Sequence, residues 1–585
     1  MFGREPESSL EEAIKMEAAW LKQYPPGIPA EVDVHAFSSL RDVLLRSCQR
    51  FGELPAYSNM GSSMTFAELD RSSRDFAAYL QGTLGLRKGD RVAIMMPNLL
   101  QYPVALFGVL RAGLVVVNVN PQYTVPELEH QLEDSGARAI VVLENFAHTL
   151  QEVLEKKPTL NLTVITTEVG DMLPVVKELV TNVVVKYVKH MVPAWKIAGA
   201  TEFNAGLRAG RGQELEDVPL GHDDMAFLQY TGGTTGVAKG AVLTHGNLVA
   251  NVQQMTAWMA RDLVEGKEVF VCPLPLYHVY ALTSCLVFLK MGAHTVLVTN
   301  PRDMKAYIHD LKKHPFTIII GVNTLYRALL DAPEFAEVDT RALKLTSAGG
   351  MAVQRVVAER WKQRTGVAII EGYGLTETSP VVMASPLDVA QWTGTIGLPI
   401  PSTQAAILDD EDREVALGEV GEICLRGPQV MPRYWNRPDE TSKVFTHDGW
   451  LRTGDMGFVD ERGYFRITDR KKDMIVVSGF KVFPNQIEDA VALHPGVAEA
   501  AAIGEPDERS GEVVKIVVVK KDPALTEQAL LEHCRQHLTG YKMPKVVEFR
   551  TEPLPKSNIG KVLRRELRHA AATANAALPP AAGVQ

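Results

Sequence analysis

The sequence predicts an α/β fold of layered, largely parallel sheets, followed by a β-rich region and a smaller α+β unit. In the first half, short β-rich runs alternate with amphipathic helical patterns, such as Arg91–Met96 and Phe66–Leu80. From about Gln404, short strands and turns dominate. Five consecutive charged residues, Asp469–Asp473, then precede a compact stretch of further helices and strands. A chain of 585 residues also exceeds what one core supports, so several domains are expected.

The elements of the first half are β-branched runs and helices with an apolar stripe. The helical patterns are Phe66–Leu80 and Leu100–Arg111. The strand patterns are Arg91–Met96, Ala139–Leu143, Met225–Leu228, Ala241–Leu243, Val269–Cys272, Thr295–Val298, Phe316–Ile320, Leu343–Thr346 and Val367–Ile370.

The second half predicts a domain boundary at the charge run. Before it, the short strands are Ala405–Leu408, Glu422–Arg426, Gly457–Val459 and Tyr464–Ile467. After it come helices Pro484–Leu493 and Glu527–Leu538, and strands Ala500–Ile503, Val513–Val519 and Lys545–Arg550. We therefore predict an N-terminal domain over residues 1–468 and a C-terminal domain over residues 469–570. The Ala/Pro-rich residues 571–585 predict a disordered tail.

Composition excludes several classes of function. The formal net charge of −9 argues against non-specific nucleic-acid binding, while 46% hydrophobic and 22% charged residues are ordinary for a globular protein. The five cysteines are scattered without metal-ligand spacing, which favours reduced thiols and a cytoplasmic location. The sequence contains no apolar signal core at its start and no run of about 18 apolar residues, so no membrane span is expected.

The most informative motif is the stretch from Tyr230 to Gly240, which is suited to hold phosphate. Its loop combines glycines, hydroxyl donors and one cation, namely Thr231, Gly232, Gly233, Thr234, Thr235, Gly236 and Lys239. Glycines allow backbone N–H groups to turn toward an anion. A Walker A loop has its lysine directly after a glycine and opens a helix. Here Ala238 precedes the lysine and a strand pattern follows, which predicts a different type of phosphate loop.

Further motifs lie downstream, although each alone is more typical of an ordinary turn. Gly372–Glu377 follows a predicted strand, where Tyr373 could stack on a base and Glu377 could reach a hard cation. Trp450–Asp455 presents a carboxylate suited to ribose hydroxyls. Near the C-terminus, Pro555–Lys561 forms a loop that ends in a lysine.

The segment Leu179–Trp195 predicts a basic amphipathic helix. Its apolar residues recur at helical spacing, and Lys186, Lys189 and Lys196 lie near that stripe. Such a helix can lie in a membrane interface, which makes 179–196 a candidate peripheral membrane contact. The alternatives are a helix packed on the body of the protein or, because of Val183–Val185, a strand.

Together these motifs resemble the adenylate-forming enzymes, a family of acyl-CoA synthetases, luciferases and adenylation domains. The resemblance runs from about residue 35 to about residue 568, in the family's order and spacing. The motifs YTGGTTGVAKGAVLTH, PLYHVYAL, EGYGLTETSP, GWLRTGD, DRKKDMIVVSGFKVFPNQIE and PKSNIGKVLRREL are most similar to bacterial long-chain fatty-acid–CoA ligases. The resemblance implies a large N-terminal domain, a small mobile C-terminal domain and a site at their junction.

The resemblance also implies roles for particular residues. Thr231–Lys239 would hold the β- and γ-phosphates of ATP, Thr376 would approach the α-phosphate, and Glu377 would bind Mg²⁺. The adenine pocket would comprise Gly349, Gly350, Glu371, Gly372 and Tyr373. Asp455 would take the ribose hydroxyls with Arg470 beside it, and Lys472 would be the hinge. Lys561 would bridge the substrate carboxylate and the α-phosphate, and His278 is a further catalytic candidate. Ser478, Gly479 and Lys481 would face CoA.

The implied reaction is the ATP-dependent activation of a long-chain fatty acid and its transfer to CoA. The segment Tyr277–Leu282 offers no carboxylate to pair with a substrate ammonium, which disfavours an amino-acid substrate. Three alternatives remain open: a ligase for a medium-chain or aryl acid, an acyl-AMP donor to a carrier protein, and a catalytically silent nucleotide-binding regulator. The sequence leaves the oligomeric state open, with a homodimer among the options. It predicts a cytoplasmic protein, with a peripheral contact at the cytoplasmic face of the membrane as one option.

Overall fold

The computed structural model describes residues 19–231, 238–507, 509–557, 560, 562–568 and 570. The chain divides into two compact units. The large unit comprises Leu21–Gln404 and Leu425–Leu451, and the small unit comprises residues 19–20, Ala405–Cys424 and the described residues from Arg452 onward. The predicted tail, 571–585, lies outside the described residues, and the predicted domain boundary at residue 469 stays a prediction.

The large unit alternates helices and strands, as predicted. Its helices are α1 (Leu40–Phe51), α2 (Phe66–Ala78), α3 (Gln101–Arg111), α4 (Val125–Ser135), α5 (Ala147–Lys156), α6 (Val175–Val183), α7 (Phe203–Gly210), α8 (His245–Met259), α9 (Val279–Lys290), α10 (Met304–Lys313), α11 (Asn323–Asp331), α12 (Arg355–Thr365) and α13 (Pro438–Val444). Its strands are β1 (Pro55–Asn59), β2 (Ser62–Thr65), β3 (Arg91–Met95), β4 (Val115–Asn118), β5 (Ala137–Leu143), β6 (Thr163–Thr167), β7 (Thr201–Glu202), β8 (Met225–Thr231), β9 (Lys239–Thr244), β10 (Val269–Cys272), β11 (His294–Leu297), β12 (Ile318–Gly321), β13 (Leu345–Ala348), β14 (Ile369–Gly374), β15 (Val381–Ala384) and β16 (Leu398–Pro399).

In the described part of the chain, these strands form a seven-stranded and a nine-stranded sheet. The first sheet has the order β7-β6-β5-β3-β4-β8-β9 and is parallel except for the β8–β9 pair. The second has the order β16-β15-β14-β13-β12-β10-β11-β1-β2, with parallel pairing from β14 to β1. The predicted α/β class with much parallel sheet is confirmed.

Burial explains why these segments become strands. Val115, Val116 and Val117 of β4 are all fully buried, as expected for a parallel strand covered on both faces. Each such side chain contributes roughly 1.5–3 kcal/mol by leaving water. Helix α2 begins where Thr65 and Glu68 form a reciprocal capping box. Its regular part ends at Ala78, and Tyr79–Thr83 continue as a π-helical turn, so the predicted end at Leu80 falls within that turn.

The small unit contains the predicted β-rich and α+β regions. Its strands are β17 (Gln404–Leu408), β18 (Gly421–Arg426), β19 (Leu451–Val459), β20 (Phe465–Arg470), β21 (Ile475–Val477), β22 (Phe480–Val482), β23 (Val497–Asp507), β24 (Gly511–Lys520) and β25 (Val546–Arg550). Its helices include α14 (Pro484–Ala492) and α15 (Glu527–His537). Strands β17 to β20 form one sheet, and β21 to β25 form a second, in which β25 runs parallel to β24.

The amphipathic helix differs from its prediction. It begins at Val175, earlier than predicted, and continues from Val184 to Val188 as a π-helical turn. His190 then adopts a φ of +50°, so the predicted continuation to Trp195 is wrong, as is the strand alternative. None of the residues in 175–188 is buried. Within the described ranges, every helix is too short or too polar to span a bilayer.

All five cysteines are buried as free thiols. Burial raises the pKa of Cys48 and of Cys424 to about 12. The Sγ atoms of Cys272 and Cys285 lie 3.9 Å apart in the core of the large unit. Because all five thiols are buried away from solvent, these side chains act as small apolar packing groups.

Candidate functional site

The carboxyl ends of three neighbouring parallel strands form one edge of the second sheet. Gly321 of β12 pairs with Ala348 of β13, which pairs with Glu371 of β14. Ligands of open α/β sheets bind outside the carboxyl ends of the strands. The structure therefore brings together Gly349, Glu371 and Gly372, three of the residues predicted for the adenine pocket.

Gly349 and Gly372 are close neighbours at this edge. A Cβ atom on Gly349 would lie 3.3 Å from the carbonyl oxygen of Gly372 and 3.2 Å from Cε1 of Tyr280. The Tyr280 hydroxyl is 3.0 Å from Oγ of Ser347, which fixes the ring beside the glycines. Gly350 has a φ of +77°, a conformation that favours glycine. The unsubstituted backbone allows a flat ring to approach closely.

Burial shifts the pKa of two side chains near this edge. It raises the pKa of Glu371 to about 7, although the backbone N–H of Val353 donates to Oε1 at 3.0 Å. It lowers the pKa of His278 to about 4, so this imidazole is neutral at pH 7. His278 Nδ1 accepts from the backbone N–H of Tyr280 at 3.3 Å and caps helix α9. Its catalytic role stays a prediction.

Strands β8 and β9 flank the predicted phosphate loop as an antiparallel hairpin. Thr231 pairs with Lys239 at the end where the loop begins. The predicted loop residues Gly232, Gly233, Thr234, Thr235 and Gly236 lie outside the described residues. Because a strand follows the loop, the prediction that it is not a Walker A motif is confirmed.

Lys239 and Glu377 both contact the side chain of Tyr434. Lys239 Nζ lies 4.8 Å from the ring centroid of Tyr434 and 2.8 Å from Oε2 of Glu440. The hydrogen bond from Lys239 lowers the pKa of Glu440 to about 2. The Tyr434 hydroxyl donates to Oε1 of Glu377 at 2.6 Å. Tyr434 therefore links the predicted phosphate-binding lysine to the predicted cation-binding carboxylate.

Glu377 has the chemistry to hold a hard cation. It lies with Thr376 in the 3₁₀ turn Thr376–Thr378, and its carbonyl accepts from the backbone N–H of Met431 at 2.8 Å. Among the described residues, Oε2 of Glu377 has no hydrogen-bond partner. The same part of the chain contains no group of three or more His, Cys, Asp or Glu residues placed to hold a metal ion. A cation at Glu377 would thus take its other ligands from substrate and water, as Mg²⁺ commonly does.

In the small unit, Asp455 and Arg470 are cross-strand partners on β19 and β20. The Asp455 side chain is 3% exposed and lies 2.7 Å from Nε of Arg470. The residue that precedes Arg470 is anchored differently: Asp469 is fully buried and pairs with Nη1 of Arg564 at 3.4 Å. The predicted hinge, Lys472, lies between these anchored positions and Asp473, which also pairs with Arg564 at 3.4 Å.

The residues predicted to face CoA form a tight hairpin. Ser478 and Gly479 connect β21 to β22 with φ values of +49° and +86°, which a two-residue type I′ turn requires. The Ser478 backbone N–H donates to the carbonyl of Ser510 at 2.7 Å. Lys481 follows on β22 as an exposed residue. The predicted catalytic Lys561 lies outside the described residues.

Two sequence profiles identify the family. The profile of the AMP-binding enzyme matches residues 44–435, more than half of the chain, and that of the AMP-binding enzyme C-terminal domain matches residues 486–561. The chain belongs to the AMP-binding enzyme family.

Individual relatives of this AMP-binding enzyme cover nearly its whole length. It is 55% identical over 554 residues to a long-chain-fatty-acid–CoA ligase of Escherichia coli O157:H7, covering 94% of this chain and 98% of the relative. A feruloyl-CoA synthase of an Amycolatopsis species is 36% identical over 511 residues, covering 87% and 94% of the two chains. The crystal structure of an anthranilate CoA ligase in complex with anthranoyl-AMP aligns with a TM-score of 0.79 at 26% identity, covering 92% and 98%. These similarities confirm the predicted fold of α/β layers with a separate C-terminal domain.

Sequence reasoning missed the residues of this AMP-binding enzyme that surround Lys239 and Glu377. Tyr434 and Glu440 were not predicted, nor was Asp134, whose carboxylate accepts from the Tyr230 hydroxyl at 2.7 Å. One signal was available: residues 433–440 combine two aromatic and four charged side chains between predicted strands. Nothing in that local pattern indicates which distant side chains it contacts.

We expect Gly374→Ala to destabilise this AMP-binding enzyme by roughly 1–3 kcal/mol, because an added Cβ cannot be accommodated. It would lie 1.7 Å from the carbonyl oxygen of Pro380, a backbone atom. Gly372→Ala is the matched control on the same strand, since its Cβ would meet only Met383 O at 3.9 Å. Urea unfolding followed by tryptophan fluorescence measures both variants. Equal transition midpoints would contradict the steric argument.

Proposed function

We propose that the chain is a long-chain fatty-acid–CoA ligase that forms acyl-CoA, AMP and pyrophosphate from a fatty acid, ATP and CoA. The observation that carries this proposal is the 55% identity, over 94% of the chain, to a relative with that name. The geometry supports it, because Lys239 and Glu377 both contact Tyr434 beside the phosphate hairpin, the antiparallel pair of strands β8 and β9. The ammonium of Lys239 can bind phosphate and the carboxylate of Glu377 can bind a metal ion, so the pair suits a metal complex of a nucleotide polyphosphate.

In the first step, a carboxylate oxygen of the fatty acid attacks the α-phosphorus of ATP, and the bond to the leaving pyrophosphate breaks. Two anions must meet in this step, so cationic groups lower its barrier. We propose that Lys561 and Lys239 supply positive charge and that Thr376 contacts the α-phosphate. Glu377 would hold Mg²⁺, which offsets phosphate charge when bound.

The nucleotide would be held by the residues that the family motif assigns. We propose that the adenine ring lies against Gly349, Gly350, Glu371, Gly372 and Tyr373. Asp455 would accept hydrogen bonds from the ribose hydroxyls, with Arg470 holding its carboxylate in place. Thr231, Gly232, Gly233, Thr234, Thr235 and Gly236 would surround the terminal phosphates.

In the second step, the CoA thiol attacks the acyl carbon and AMP leaves. We propose that Ser478, Gly479 and Lys481 contact CoA and that Lys472 is the hinge of a mobile C-terminal domain. We propose that His278 contributes as a neutral imidazole, because burial lowers its pKa to about 4 and makes the ring a poor proton donor at pH 7.

The decisive test is a substrate series. Purified protein receives Mg²⁺, ATP, CoA and saturated acids from C6 to C20 or an aryl acid, and AMP and acyl-CoA are quantified. A maximum at long chains is the expected result. A maximum with aryl acids would favour the second candidate, which the feruloyl-CoA synthase relative motivates. Pyrophosphate release without acyl-CoA would indicate transfer to a carrier protein, and no turnover would favour a silent nucleotide-binding regulator.

We further propose that the helix at 175–188 contacts the cytoplasmic face of the membrane, where fatty acids partition. Its exposed apolar side chains include Val175 at 80%, Leu179 at 66% and Tyr187 at 66% exposure. Its polar side is held by the body of the large unit, because Lys186 Nζ lies 2.9 Å from Oε2 of Glu144. The exposed lysines Lys189 and Lys196 follow the helix, and an apolar face near such cations suits an anionic lipid surface. The proposed contact comprises residues 175–188, so it includes the first part of the predicted 179–196 segment and begins four residues earlier.

Flotation with vesicles of phosphatidylglycerol and phosphatidylethanolamine tests this contact. We expect wild-type protein to float and the variant Leu179→Asp/Tyr187→Asp to lose roughly tenfold or more in vesicle affinity, because two apolar side chains leave the lipid. Val356→Asp is the control, since Val356 is 62% exposed on helix α12 of the same unit. Wild-type protein that stays wholly in solution would overturn the proposal.

A further inference from the structure

The segment Arg433–Glu440, called the 433–440 arm below, lies against the phosphate hairpin. The backbone N–H of Val242 donates to the carbonyl of Arg433 at 3.0 Å, and the N–H of Trp435 donates to the carbonyl of Gly240 at 2.8 Å. Tyr434 forms an antiparallel bridge with Ala241. The start of the arm is therefore an added edge segment on β9, the strand that begins at Lys239.

A second anchor fixes the middle of the arm. The Asp134 side chain, 9% exposed, accepts from Nη2 of Arg437 at 2.5 Å and from the Tyr230 hydroxyl at 2.7 Å. The backbone carbonyl of Asp134 also accepts from Nε1 of Trp435 at 3.1 Å. Because Tyr230 belongs to β8, the same aspartate binds the arm to the other strand of the hairpin. The backbone hydrogen bonds to β9 and the charged contact with Asp134 hold the arm in place before any ligand binds.

Tyr434 extends from this support to Glu377. Its side chain is almost fully buried, with 5% of the residue exposed. Its phenolic hydroxyl is the donor of this contact, because the carboxylate oxygen of Glu377 accepts. The donor–acceptor distance to Oε1 of Glu377 is 2.6 Å, which is typical of a charge-assisted hydroxyl–carboxylate hydrogen bond. This bond restrains Oε1 of the carboxylate and leaves Oε2 for a cation.

Glu440 contacts the other charged group. Its Oε2 is 2.8 Å from Lys239 Nζ, and its Oε1 is 2.7 Å from Lys443 Nζ. The Lys239 side chain is 24% exposed, and its ammonium also lies over the Tyr434 ring at 4.8 Å. A carboxylate that binds the lysine of a phosphate loop competes with phosphate for the same ammonium.

We infer that Tyr434 is a positioning residue that orients Glu377 for its cation, and that Glu440 restrains Lys239 until nucleotide phosphate replaces the carboxylate. The inference rests on the proposed function for the identity of the cation and the phosphate ligand. It assigns both contacts to one structural element, the 433–440 arm.

Tyr434→Phe tests the first half of the inference. Partners that orient a metal ligand typically contribute 10–100-fold to metal affinity. We therefore expect the Mg²⁺ concentration for half-maximal activity to rise by roughly 10-fold or more, while kcat at saturating Mg²⁺ changes little. Mn²⁺ binding in the presence of ATP, measured by electron paramagnetic resonance without acid or CoA, should weaken by the same factor. Binding of metal-free ATP in EDTA should stay unchanged.

Tyr307→Phe is the matched control for Tyr434→Phe. Tyr307 is fully buried in the same unit, and its hydroxyl has no hydrogen-bond partner among the described residues. This variant should leave Mg²⁺ dependence and Mn²⁺ binding unchanged. A Tyr434→Phe protein that folds and keeps wild-type Mn²⁺ affinity would overturn the positioning role.

Glu440→Gln tests the second half. Calorimetric titration with ATP in EDTA should show tighter binding by roughly two- to five-fold, the range of a partly exposed ion pair. The control is Glu337→Gln, which removes a similar contact from Lys312, 2.5 Å away, at a distance from the hairpin. Unchanged or weaker ATP binding by Glu440→Gln would overturn the restraint. Because these titrations need no fatty acid or CoA, they remain decisive even if the substrate series finds no ligase activity.

Discussion

Lys561→Ala is expected to lower acyl-adenylate formation by roughly 10³-fold and to leave thioester formation from supplied acyl-adenylate near the wild-type rate. The lysine would offset the negative charge that accumulates when the carboxylate meets the α-phosphate. When the CoA thiol attacks an adenylate that is already formed, no carboxylate approaches the phosphate, and charge develops instead on the acyl oxygen and the departing AMP. The two half-reactions are measured separately, by pyrophosphate release without CoA and by acyl-CoA formation from synthetic acyl-adenylate.

Lys556→Ala is the matched control for this prediction, because Lys556 belongs to the same predicted loop, Pro555–Lys561. Its Nζ is 2.5 Å from Oε1 of Glu499, an ion pair within the small unit. Loss of this pair should leave both half-reactions nearly unchanged, since a partly exposed ion pair contributes little. If Lys561→Ala impairs both half-reactions equally, the proposed role in the first step alone is wrong.

Asp455→Asn is expected to impair both half-reactions, in contrast to the lysine variant. The proposed carboxylate–ribose hydrogen bonds are present with ATP and with the acyl-adenylate, so their loss weakens both complexes. Two charge-assisted hydrogen bonds predict a loss of roughly 10²-fold or more in affinity. Calorimetry with ATP and with a non-hydrolysable acyl-adenylate analogue measures the two effects.

The control for Asp455→Asn is Asp460→Asn. Asp460 lies in the turn that directly follows β19, and its carboxylate pairs with Nη2 of Arg462 at 2.8 Å. This variant removes a carboxylate–arginine pair without touching the proposed ribose site, so nucleotide affinity should remain. Wild-type affinity in Asp455→Asn would contradict the ribose assignment.

The fold was predictable where local pattern and burial agree. Runs such as Phe316–Ile320 are apolar because both faces of a parallel strand are covered, and the structure has a strand at Ile318–Gly321. The end of the amphipathic helix was harder to predict, because apolar residues at helical spacing continue past the point where the backbone leaves the helix. His190 at a positive φ ends the helical path, and the later apolar residues, including Trp195, follow outside it.

The candidate site was predictable only in its motifs. Glycine, threonine and carboxylate residues at Tyr230–Gly240 and Gly372–Glu377 carry their chemistry in the local sequence. The contacts of the 433–440 arm do not, since Lys239 and Glu440 are 201 positions apart. From the local sequence, Tyr434 cannot be distinguished from an ordinary buried aromatic residue, because its hydrogen bond to Glu377 is visible only in the structure. Pairing of this kind depends on tertiary packing, and a single sequence contains no record of it.

The burial of every native cysteine makes the chain suited to site-selective labelling. A cysteine introduced at an exposed position such as Val180, 57% accessible, would be the one thiol that reacts quickly with a maleimide. An environment-sensitive fluorophore attached there would report whether the 175–188 helix enters an apolar medium when vesicles are added. The native thiols need not be removed first, so the core keeps its packing during the measurement.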